Sequence, residues 1–146
     1  MRLIEFRKVV LSQDEPIRSI FKLVEAIKHC SRVFQITAEM TSNANLRQLA
    51  EDTHRELEQY VFELQTEIRR LGNEESVPGP VAEPAGDDLG TEEFPPSPNH
   101  HQRALQRVLD CFDEVFKTPL TAHARAMLRR QYEGVTQARE QISRAA

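Results

Sequence analysis

The stretch "GNEESVPGPVAEPAGDDLGTEEFPPSPN", residues 72–99, holds six of the chain's eight prolines and four of its five glycines. Proline has no amide to donate and glycine loses the most backbone freedom on ordering, so no regular element crosses this segment. It has no hydrophobic period and reads as a linker. The two blocks it joins must share one core or build two. With 146 residues in all, a chain can bury roughly two-thirds of its unfolded surface in one core. A single domain over residues 1–146 is the expectation.

Both flanking blocks carry apolar residues at spacings of three and four, the period of a helix with one buried face. Ile17, Ile20, Phe21, Val24, Ile27, Phe34 and Ala38 form one stripe, and Leu46, Leu49, Ala50, Leu57, Val61, Leu64, Ile68 and Leu71 a second. After the linker, Ala104, Leu105, Val108, Leu109, Phe112, Val115 and Phe116 form a third. Leu120, Ala124, Leu128, Val135, Ala138 and Ile142 form a weaker fourth. The spacing predicts helices over about 14–40, 45–71, 100–117 and 119–144. Residues 1–12, with "LIEF" and "KVV", fit an extension of the first helix, a separate short helix or an arm, with the arm or short helix preferred.

Local chemistry marks the helix ends. "TSNAN" supplies a turn in which Asn43 or Asn45 accepts from the free amides that open the second helix. Arg69 and Arg70 suit the negative end of that helix, and Gly72 suits its left-handed cap. Asn99 is positioned to cap the third helix, and Pro119 to open the fourth.

Topology follows from the linker. Neighbouring helices in an up-and-down bundle need only about 2–8 residues between them. A linker of this length instead suits a crossover that carries the chain along the bundle, leaving the second and third helices parallel. The second helix would be roughly 40 Å long, and the linker could reach roughly 90 Å. The expected fold is therefore an all-α, ferritin-like antiparallel four-helix bundle with a long crossover between helices 2 and 3.

Charge narrows the function classes. Residues 1–72 hold eleven basic and eleven acidic side chains, 73–98 hold none and seven, and 99–146 hold eight and five. The net charge of -4 thus sits in the linker. Neither helical block has the basic excess that a nucleic-acid partner requires. No apolar run reaches the roughly 18 residues of a membrane span. The charges within "MRLIEFRKVVLSQDEP" are unlike those of a signal peptide, and Cys30 and Cys111 have no CxxC or zinc spacing. A cytoplasmic protein is expected.

One motif invites a metal. Glu51 and His54 in "AEDTHRE" make a Glu-x-x-His, half of the ligand set with which di-metal bundles hold two ions. At about 100° per residue, His54 falls roughly 75° and Glu51 roughly 135° from the core direction of its helix, so Glu51 faces solvent. On the first helix Glu25 and His29 point away from the stripe. Asp110 and Glu114 lie off the third stripe, and the fourth helix has no Glu-x-x-His. An inward set is missing, so no cofactor is expected. Glu51, His54, Glu25 and His29 remain the candidates should iron or manganese bind.

Other groups have structural readings. "NHH" at residues 99–101 reads as the opening of the third helix. Cys30 and Cys111 read as boundary thiols, with a redox pair as the alternative. Arg125, Arg129, Arg130 and Arg139 read as a solvated face that could also dock the acidic linker.

The run "SIFKLVEAIKHCSRVFQITAEMTSNANLRQLAEDTHRELEQYVFELQTEIRRLGN", with "LDCFDEVF" and "ARAMLRRQYEGVTQARE" after the linker, resembles an uncharacterised bacterial family of ferritin-like four-helix-bundle proteins. The F-x-x-x-A-E from Phe34 to Glu39, and the L-x-x-L of Leu46 and Leu49 before a Gln/Glu-rich helix, carry the likeness. It covers nearly all of the chain after residue 15. The resemblance implies a bundle with no assigned reaction and few metal-site residues, with a hint of a stress-related setting. Relatives often place a short helix in the crossover, where this chain has prolines and carboxylates. The functional expectation is a non-enzymatic helical protein that self-associates or binds a protein partner. The alternative is a ferritin-like metal-binding oxidoreductase or storage protein.

Overall fold

In the computed structural model, four helices follow in chain order: α1, Arg2–Met40; α2, Ala44–Gly72; α3, Pro98–Phe116; and α4, Ala122–Ala145. The structure describes residues 2–72 and 98–145, with side chains from 15–72 and 99–145. These residues contain no strand. The linker expected at 72–99 lies, apart from its ends, outside the described residues.

The arm or short helix expected for residues 1–12 is corrected: α1 is continuous from Arg2 to Met40. The segment contains no glycine and no proline before Pro16. Interleaved charges obscure a stripe without opposing helical backbone angles. Pro16 is inside α1, where it removes one hydrogen bond of the helical ladder.

Caps set the register of the remaining helices. Asn43 accepts at Oδ1 from the Leu46 amide at 3.1 Å, so of the two candidate caps it is Asn43 that opens α2. Pro98 is the first residue of α3, which places Asn99 within the first turn rather than at the cap. The fourth helix begins at Ala122, not at Pro119. Thr121 Oγ1 accepts from the Ala124 amide at 3.1 Å, and Pro119 stands in the preceding link. A threonine cap satisfies an amide that would otherwise be orphaned, which proline cannot do.

Packing closes a ring of four neighbours. α1 packs against α2 and α3, and α4 packs against the same two helices. Phe34, Leu64, Phe112 and Leu128 are fully buried along the common core. Each such side chain contributes roughly 1.5–3 kcal/mol by leaving water. Because α1 serves two neighbours, its buried face is wider than a single stripe. It includes Leu23, Cys30, Ser31, Val33 and Thr37 as well as the predicted positions.

Candidate functional site

The Glu-x-x-His of α2 faces the seam with α1. Glu51 and His54 line an open cleft of about 260 Å³ together with Gln35, Ala38, Glu39 and Arg55. Glu51 is half-buried in this open cleft.

His54 is tied across that seam. Its Nδ1 lies 2.7 Å from Ser31 Oγ and 3.0 Å from the Ser31 carbonyl oxygen. A carbonyl only accepts, so Nδ1 carries the proton and Nε2 the lone pair. Ser31 Oγ in turn donates to Glu58 at 3.3 Å. The serine, imidazole and carboxylate are not in the order of a nucleophilic triad, where the carboxylate holds the imidazole and the imidazole activates the serine. Here the carboxylate holds the serine.

The other two candidates are elsewhere. Glu25 is exposed on α1. His29, expected opposite the core, is half-buried, with its ring centroid 6.3 Å from that of His100 on α3. The four candidates do not converge. Among the described residues, no group of three or more His, Cys, Asp or Glu is arranged to hold a metal ion.

Sequence reasoning missed the burial of "NHH". His100 and His101 are both buried. His101 stacks on Phe34 with ring centroids 5.0 Å apart, and its Nε2 lies 2.6 Å from Thr37 Oγ1. Thr37 already donates to the Val33 carbonyl at 3.0 Å, so it accepts from His101 Nε2–H. Burial, with a smaller contribution from the His100 charge, lowers the His101 imidazole to about 4. The available signal was position: residues 100 and 101 precede Ala104 and Leu105 by four, on the same buried face.

A second polar cluster joins α2 to α4. Arg130 donates to Glu63 at 3.0 Å and Gln131 Nε2 donates to the same oxygen at 2.9 Å. Burial opposes the Glu63 charge, but the bonds from Gln131 and Arg130 outweigh it and hold the carboxyl below its ordinary range. Nearby, Tyr60 donates to Glu56. Burial first, then the Glu56 charge and this bond, push the Tyr60 hydroxyl above its ordinary range. Gly134 faces this pair, and a Cβ there would collide with the Tyr60 hydroxyl. Arg130 therefore belongs to a cross-helix pair rather than to a wholly solvated face.

The cysteines are separate free thiols, Cys30 fully buried and Cys111 half-buried. Cys30 is a core residue. Burial raises both above the ordinary thiol range, opposite to the activation of a redox cysteine.

Among the described residues, no helix is long and apolar enough to cross a membrane. The chain matches no protein-family model, no curated protein and no solved structure.

Proposed function

We propose that this chain is a helical-bundle scaffold, akin to the ferritin-like bacterial family it resembles, that works by association with a second copy or a protein partner. The observation that carries the reading is Phe62, a large apolar ring 63% exposed on α2. Covering such a ring is worth about 2 kcal/mol per copy. Ser31, His54, His101 and Gln131, meanwhile, join helix to helix. Sedimentation from 5 to 200 µM tests the proposal, using the full chain and a Phe62→Gln variant. A dimer or larger species that Phe62→Gln shifts toward monomer is expected. A wild-type monomer at every concentration contradicts self-association.

The same reading includes an antiparallel ring with a crossover between α2 and α3. Its support is the order of contacts along neighbouring helices. Thr37 meets His101, whereas Lys22 acts on Cys111. Glu63 meets Arg130, whereas Tyr60 meets Gly134. Gln102 donates to the Arg139 carbonyl, whereas Phe112 packs edge-on against Tyr132. In each pair one number rises as the other falls. Deleting residues 76–96 leaves a tether of roughly 15 Å against a helix of roughly 43 Å. A crossover bundle loses its cooperative unfolding on that deletion, and an up-and-down bundle keeps it.

One observation favours metal binding as a second reading. An imidazole whose Nδ1–H is held by a backbone carbonyl presents a basic Nε2, the usual posture of a metal-ligating histidine. His54 has that posture in a cleft shared with Glu39 and Glu51. Iron or manganese would be the metal, with waters completing the coordination.

A further inference from the structure

We propose that the first turn of α3 is an acid-released latch on α1, opened by protonation of His101. The catch is built from both helices. His101 is 2% exposed, stacked on Phe34 and hydrogen-bonded to Thr37. Its tautomer leaves Nδ1 as the nitrogen that must take the added proton. That proton would arrive inside the α1–α3 contact.

Three features make the charge unwelcome there. His101 is the fourth residue of α3, in the first turn, where the helix dipole is positive and a cation is disfavoured. The neighbouring His100 is itself buried, with its ring 6.3 Å from that of His29 on α1, so this end of the contact is closely packed. The partners of His101 on α1, Thr37 and Phe34, are uncharged. α4 meets this end through the Arg139 carbonyl, which accepts from Gln102. Among the described residues the charge that acts on His101 is His100, of like sign, and no carboxylate offsets it.

Release separates the start of α3 from Phe34 while the remainder of the bundle stays closed. An imidazole at about 4 in the latched state and 6.5 when released makes opening about thirtyfold more favourable at pH 5 than at pH 7.5. Amide exchange measured by mass spectrometry on the full chain reads this directly, once rates are corrected for the pH dependence of chemical exchange. Protection over residues 101–106 falls by ten- to thirtyfold between pH 7.5 and 5, and more than protection over residues 57–64 of α2. In His101→Gln, which keeps a neutral donor for Thr37, the excess loss over α2 disappears. An equal loss in both helices of the wild type, or an undiminished excess in His101→Gln, overturns the latch. Should His101→Gln fail to fold, the wild-type His101 Cε1–H resonance decides. A titration midpoint near 4 supports the latch, and one at 6.5 or above overturns it.

Discussion

Ser31 of α1 and His54 of α2 meet with Oγ and Nδ1 2.7 Å apart, and Ser31 is 2% exposed. A buried hydroxyl between an imidazole and the Glu58 carboxylate fastens the two helices across their seam. Ser31→Ala should lower unfolding stability by about 1–2 kcal/mol, because it leaves an imidazole donor with the carbonyl alone. A double-mutant cycle with His54→Ala should give a coupling of about 1 kcal/mol in urea denaturation. Strict additivity would mean that the contact contributes nothing.

Gly134 and Tyr60 offer a cleaner test of packing between α2 and α4. Alanine is intrinsically better than glycine in a helix by about 1 kcal/mol. The collision with the Tyr60 hydroxyl reverses that gain, so Gly134→Ala should destabilise by about 1–2 kcal/mol. With Tyr60→Phe as background the hydroxyl is gone and the ring carbon at 3.1 Å is the nearest contact left, so the same substitution should cost less. Thermal unfolding of the four proteins measures it.

The pH dependence of global stability carries a definite sign. The folded chain holds His101 at about 4, below its unfolded value of 6.5. Between those values the unfolded state binds the extra proton, so stability is fully present above 6.5 and is lost as pH falls toward 4. The loss attributable to this residue is about 3 kcal/mol, and His101→Gln should remove most of it. Urea midpoints from pH 7.5 to 4 provide the check.

Two phenylalanines should respond unequally to truncation. Phe112 is fully buried, 5.8 Å from the Tyr132 ring and 6.5 Å from Phe116. Phe112→Ala should cost about 3–5 kcal/mol, from lost burial and the cavity left behind. Phe62→Ala should change the stability of the isolated chain by less than about 0.5 kcal/mol. Denaturation at low protein concentration separates the two.

The helices were legible because their stripes and caps are local. Periodicity alone locates Val24, Leu57, Leu64, Phe112 and Leu128 in the core, and "TSNAN" offers Asn43 or Asn45 as a cap, of which the fold uses Asn43. What escaped the sequence depends on neighbours. The wheel for α1 has one stripe, but α1 packs on two helices, so Cys30, Ser31 and Thr37 become interior and His29 turns toward α3. The burial of His101 is set by Phe34 and Thr37, more than sixty residues away. The N-terminal extension of α1 has no clear stripe, and a pattern-based reading ends where the pattern ends. At the candidate site, the sequence correctly separated Glu25 from the interior. It could not foresee that Ser31 would take up the imidazole of His54.

The account's central proposal is a helical-bundle scaffold in which Ser31 ties His54 across the α1–α2 seam, with metal binding at His54 as its competing reading. Elemental analysis of the purified full chain, followed by titration of iron and manganese into metal-free protein, tests it most directly. The account predicts less than stoichiometric metal and no change in the titration on His54→Ala or Glu51→Ala. One tightly bound ion per chain, lost in either variant, would contradict it.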